Sequence, residues 1–357
     1  MNIENYEQKK QRWIDFWNKE NHDRPIITLT APNGRAWGLA EKSYSSITEK
    51  WMDIEQIVKI AKKNARCTYF AAEAFPLYHP NLGPDILGAA AGGCEIEFAE
   101  DTSWAVHGVS DWNSLPAIRF DENNKWYKKI LEMTEYAAKE SNGEYITGIT
   151  DLHPGTDGLV SLRGPESFCI DLIENPNEIK KRMDEIFVFF KKMYEGLDNA
   201  ISPYQEGTAN WAGIWHPAKK WYITSSDFCC LVGKEQFDEF VAPGLTDESR
   251  FLDASIYHLD GPGALRHLDR LLRIEELDGI QWVYGDGQPT AKHWIDVYKK
   301  VQNAGKLVQV FATDTEEVKA VCENLRPEGV HILCCFGMAS KDEADAFLKQ
   351  TIEWSRK

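Results

Sequence analysis

His258 and Asp260 stand two residues apart in the run Ser255-Ile256-Tyr257-His258-Leu259-Asp260-Gly261-Pro262-Gly263. Ile256, Tyr257 and Leu259 favour a buried β-strand, and the Gly-Pro-Gly turn ends it sharply. Strand side chains alternate between faces, so this imidazole and this carboxylate project to the same side. At the C-terminal end of a strand, such a pair can bind a divalent metal or act as general acid and base. A core histidine followed by a helix-capping aspartate is the structural alternative.

Other strand ends supply further candidates. Glu73 closes a strand predicted over 69–75, and Asp151 and His153 follow one over 145–150. Trp211 and Trp215, four apart around a strand at 208–214, could wall a ring or a methylated cation. Gln281 and Trp282 lie in a strand at 279–283, Gln309 in one at 307–311, and Cys334 and Cys335 close one at 330–333. Asp227 ends an apolar, aromatic excursion that begins at Trp221. Asp157 could line the same site or cap a helix, and Cys229-Cys230 reads as packed between Phe228 and Leu231. Packing in the interior is the alternative for each tryptophan.

These residues need a frame that turns strand ends toward one place. An amphipathic helix is predicted over 4–21, with Tyr6, Trp13 and Trp17 at helical spacing, and Asp23-Arg24-Pro25 breaks it. The first strand follows at 26–31, a long helix at about 176–197, and the fifth strand at 255–259. Residues 76–126, rich in Gly, Pro and Trp, read as an insertion over the mouth of the fold. Eight strands alternating with helical stretches predict an α/β protein, a (β/α)8 TIM barrel formed by one domain over 1–357. Barrels of this kind carry their sites at the C-terminal ends of the strands, where the candidates fall.

Composition narrows the function classes. A net charge of -16 argues against a nucleic-acid partner, which would need clustered Lys and Arg. No apolar run is long enough to span a bilayer, and residues 1–21 lack the apolar core of a signal peptide. Eight cysteines with no C-x-x-C suit reduced thiols, so a cytoplasmic protein acting on a small molecule is expected. Neither a Gly-rich phosphate loop nor a nucleotide-binding fingerprint occurs.

Motifs spread over nearly the whole chain resemble the uroporphyrinogen decarboxylase superfamily. They are Phe75 with Asn81-Leu82-Gly83-Pro84, Ile149-Thr150-Asp151-Leu152, and Ser226-Asp227-Phe228 followed by Phe237, Phe240 and Pro243. Tyr257-His258-Leu259-Asp260-Gly261 and Leu277-Asp278-Gly279-Ile280-Gln281-Trp282 complete the set. The likeness is to the branch of corrinoid-dependent zinc methyltransferases. It implies a barrel that moves a methyl group between a corrinoid protein and a small acceptor. Asp151-Leu152-His153 is not followed by a corrinoid domain, so any cobalamin would arrive on a separate protein.

Two departures from the family pattern alter the expected chemistry. True uroporphyrinogen decarboxylases carry Arg-Gln-Ala-Gly-Arg after the first strand, whereas this chain has Ala31-Pro32-Asn33-Gly34-Arg35, which argues against porphyrinogen decarboxylation. The zinc methyltransferases carry His-x-Cys-Gly and a later cysteine. Here the first motif is His258-x-Asp260-Gly261, with Cys334 or Cys335 available later. The resemblance therefore implies a zinc site of His258, Asp260 and Cys335, harder than the family's thiolate-rich one. The other reading is a metal-free lyase or decarboxylase with His258, Asp260, Asp227 and Asp151 as acid/base groups, or a barrel that binds ligand without turnover. In either reading Glu73, Trp211, Trp215, Gln281, Trp282 and Gln309 are the expected substrate contacts.

Overall fold

A computed structural model describes residues 3–40, 42–218 and 220–356. Met1, Asn2 and Lys357, at the ends of the expected 1–357 unit, lie outside the described residues, as do Glu41 and Lys219. A seven-stranded sheet forms the centre. Its strands are β1 (Ile26–Pro32), β2 (Thr68–Ala72), β3 (Trp221–Ser225), β4 (Ala254–Asp260), β5 (Gly279–Val283), β6 (Leu307–Ala312) and β7 (Val330–Gly337). The order is β2-β1-β7-β6-β5-β4-β3, parallel throughout except for β2.

Both faces of these strands are covered, which explains their nearly continuous apolar runs. Ile27, Leu29, Tyr257, Leu259, Ile280, Val308, Val310 and Ile332 belong to a cluster shared with flanking helices. Their alternates Ile26, Ile223, Ile256 and Leu307 belong to an inner cluster with Trp13 and Phe16. Those two aromatic residues come from α1 (Tyr6–Asn18), shorter than the 4–21 expected because Lys19 turns left-handed at φ 59. Lys9 ties this helix to the sheet by donating to the Phe70 and Ala74 carbonyls at 2.6 and 2.7 Å.

Three strand expectations are corrected. The strand expected over 145–150 keeps only Ile146–Thr147, outside the central sheet, where it pairs with Leu77–Tyr78. The second strand runs antiparallel to β1, pairing Thr28 with Ala72 and Pro32 with Thr68. Residues 208–214 do not form a sheet strand either. Thr208–Ala209 pairs antiparallel with Trp215–His216 as a tight hairpin. Asn210 turns that chain, its Oδ1 accepting from the Ala212 N–H at 3.0 Å. The place beside β4 is taken by Trp221–Ser225, a segment whose sequence reads as part of an excursion.

Among the described residues the sheet does not close on itself by hydrogen bonds, its edges being β2 and β3. Leu77–Tyr78 pairs in parallel with Ile146–Thr147, and Ile149 bridges to Asn210. The rest of 76–126 includes an antiparallel hairpin, Cys94–Phe98 with Ser103–His107. A large helical cluster packs around it and includes residues of α2 (Lys125–Glu140), α3 (Gly155–Arg163) and α4 (Pro176–Ile201). Leu252, just past α5 (Ala242–Phe251), joins the same cluster. No described helix is long and apolar enough to cross a membrane.

Candidate functional site

Alternation along β4 places Tyr257 and Leu259 against the helices and His258 and Asp260 on the inner side. Gly261 follows at φ 75, a left-handed conformation that turns the chain directly after Asp260. The Asp260 side chain makes no capping hydrogen bond to that turn, so its carboxylate oxygens are not used as the cap. The loop after β3 brings in Asp227, whose Oδ1 lies 4.0 Å from His258 Nε2. One ligand atom each from Asp227, His258 and Asp260 fall within 4.8 Å of one another.

A second trio, His153, Asp157 and Asp227, shares the same carboxylate. Asp157, in the first turn of α3, does not cap its own helix. It accepts from the Asp227 and Phe228 N–H groups at 2.8 and 3.0 Å, anchoring the loop that carries Asp227. His153 has Asp151 Oδ1 3.1 Å from Nε2 and Asp157 Oδ2 3.4 Å from Nδ1. Burial alone would discharge this ring, but the two carboxylates outweigh it and hold His153 protonated well above its usual range. Both His153 nitrogens are thus engaged by carboxylates, whereas His258 Nε2 has its nearer carboxylate only at 4.0 Å. The Asp227–His258–Asp260 trio is the better cation site.

Charges in the cluster are interdependent. Burial would raise the Asp151 carboxyl, yet His153, with lesser help from His79 and His258, brings it below the ordinary aspartate range. Asp227 goes the other way. Its side chain is 53 % exposed, yet crowding by the surrounding atoms and the charge of Asp157 raise its pKa. Glu248 of α5 is buried, and desolvation keeps its carboxyl protonated well above the glutamate range. Its Oε1 lies 3.1 Å from where a Cβ on Gly155 would stand, so a side chain there would crowd it. Glu248 was not singled out in the sequence. Its spacing from Ala242 and Leu245 on the buried face of α5 was the available signal.

Not every expected residue joins the site. Trp211 does, its ring meeting the His258 imidazole edge-on with centroids 5.2 Å apart. Gln281 contacts His258 Nδ1 through Oε1, and Gln309 accepts from Gln281 Nε2 at 2.6 Å. Glu73 does not. Because β2 is antiparallel, its end returns to the start of β1, where Glu73 accepts from the Ile27 N–H and from Arg24 and Arg12. Trp282 faces the helical layer against Trp294, and Trp215 is buried against Phe75. Cys335, at the end of β7, belongs to neither cation-capable trio among the described residues. Asp227, rather than that thiol, lies third beside His258 and Asp260 in the group that could hold a cation.

A cavity of about 790 Å³ is lined by Trp51, Ile57, Ile60, Tyr78, His79 and Asn81 among others; the Asp227–His258–Asp260 trio is not among its lining residues. The fold built around this site has a counterpart among solved structures. It is similar to that of a methyltransferase from Methanosarcina mazei. The TM-score is 0.62 at 13% sequence identity, over 97% of this chain and 98% of the other. No protein-family model matches the sequence, and no curated protein does.

Proposed function

We propose that this chain is a methyltransferase-like enzyme of barrel form, built as one domain, that uses His258, Asp227 and Asp260 to hold a divalent metal, zinc above others. The observation that carries this reading is the convergence of one imidazole and two carboxylates within 4.8 Å at the end of β4. Full-length likeness in fold to a methyltransferase supports it. Three protein donors with an open side suit a catalytic zinc ion. Bound there, the metal would supply Lewis-acid activation of a small acceptor. Without a thiolate the donor set is hard, which favours an oxygen acceptor at least as much as a sulfur one.

The remaining groups have roles that need no metal. Trp211 shields one face of His258 and offers a stacking surface to the acceptor. Asp151, His153 and Asp157 form a charged row that holds the Asp227 loop in place. The methyl donor in this reading is a corrinoid carried on a separate protein. Zinc analysis of protein prepared without chelators tests the metal, and methylation of hydroxylated and thiol acceptors by free methylcobalamin tests the reaction. One zinc per chain, lost in His258→Ala and kept in Cys335→Ser, is the expected result. Absence of stoichiometric metal would remove the main support.

A second reading rests on the raised pKa of Asp227 beside His258. A carboxyl of raised pKa close to an imidazole can exchange protons with a carboxylated or hydroxylated substrate, as a metal-free lyase or decarboxylase would. Turnover that survives exhaustive chelation would favour it.

A further inference from the structure

The row of side chains behind His258 has a fixed direction. His258 on β4, Gln281 on β5 and Gln309 on β6 are register partners across neighbouring strands, so their side chains lie side by side. Gln281 and Gln309 are both fully buried, and buried amides are costly unless paired. The row ends at the main-chain carbonyl of Ala212, in the turn of the hairpin between Thr208–Ala209 and Trp215–His216, which accepts from Gln309 Nε2 at 2.8 Å.

A carbonyl can only accept, and this decides the orientation of everything that follows. Gln309 must turn its NH2 toward Ala212, leaving Oε1 for Gln281. Gln281 then donates with Nε2 and presents Oε1 to His258 Nδ1. Reversing either amide would set two oxygens or two NH2 groups against each other. With an oxygen acceptor opposite it, Nδ1 must carry the imidazole proton.

We infer that Gln281 and Gln309 are positioning residues that hold His258, when it is neutral, as the Nδ1–H tautomer, with the Nε2 lone pair turned toward Asp227 and Asp260. This deepens the proposed function only in taking His258 as the reactive group. The same lone pair serves a metal or a proton, so the inference survives loss of the metal reading. It also explains two glutamines on neighbouring inward-facing strand positions, which touch each other and His258 and thereby transmit orientation from the Ala212 turn.

The test is the tautomer itself, read from long-range ¹H–¹⁵N correlations of histidine-labelled, metal-free full-length protein at a pH where the ring is neutral. The wild type should place the proton on Nδ1. A proton on Nε2 would overturn the inference, and that measurement needs no variant. Gln281→Met, close in shape but without an acceptor, should release the ring to the other tautomer or a mixture. Gln309→Met should do so in part by freeing the Gln281 amide to turn. An unchanged tautomer in Gln281→Met would equally overturn the inference. If zinc binds, its affinity should fall by roughly 10–100-fold in Gln281→Met, the usual effect of removing a partner behind a ligand. A wild type with the proton on Nδ1 but no zinc would sink the metal reading and leave this one standing.

Discussion

Tyr222 does for Leu152 what a neighbouring strand would otherwise do. Its phenolic oxygen accepts from the Leu152 N–H, and its hydroxyl lies 2.9 Å from the Leu152 carbonyl, to which it can donate. Tyr222 comes from the edge strand β3, so the side chain spans the gap where the ladder stops. It thereby fixes the segment that carries Asp151 and His153. Tyr222→Phe should leave that N–H buried without a partner and cost about 1–3 kcal/mol. Urea unfolding checks this, and a loss under about 0.5 kcal/mol, within the range of ordinary surface substitutions, would show that the bond is dispensable.

Glu73 should behave as a structural anion, contrary to the substrate contact expected from sequence. Burial opposes its charge, but Arg24 first and Arg12 next bring its pKa down to about 2. Glu73→Gln would leave buried Arg24 without its counter-ion and should destabilise the fold by about 3–5 kcal/mol. A folded-state pKa below the unfolded one gives stability that is present above the ordinary glutamate range and is lost as pH falls toward 2. The gap between wild type and Glu73→Gln should therefore narrow in acid. Ligand affinity in the folded fraction should be unchanged.

Glu248 should show the opposite sign. Its pKa is raised by desolvation, so folding retains a proton that the unfolded chain gives up above the model-peptide value of 4.5. Stability then falls as pH rises through the window between the two values. Glu248→Gln removes this contribution. Thermal melting at stepped pH should show the variant gaining on wild type from pH 4.5 upward. Parallel curves would mean that Glu248 ionises freely.

The donor set can be moved toward sulfur. Asp260→Cys places a thiolate beside His258 and should raise zinc affinity and favour thiol over hydroxyl acceptors. Cys335→Ser should alter neither, because that thiol stands outside the trio. Equilibrium competition with a zinc chelator measures both, and a loss of zinc in Cys335→Ser would return the cysteine to the site.

The inward pairing of His258 and Asp260 was legible from sequence because it depends only on alternation within one strand. So were most parallel strands, whose apolar runs and turn residues are local signals. Glu73 was misplaced because nothing local records whether a strand runs parallel or antiparallel to its neighbour, and that direction decides which end its last residue reaches. Trp215 and Trp282 were misread for a related reason, since the hairpin at Asn210 and the side of β5 facing the helices appear only once partners are in place.

Tertiary structure alone brought Asp227 to His258 and assembled the glutamine row. Asp227 meets His258 across 31 residues of chain, and Gln309 reaches Ala212 across 97. Contacts at such separations depend on strand register and loop anchoring, here the grip of Asp157 on the Asp227 backbone. Residue type and spacing determined which groups could do chemistry; packing determined which of them meet.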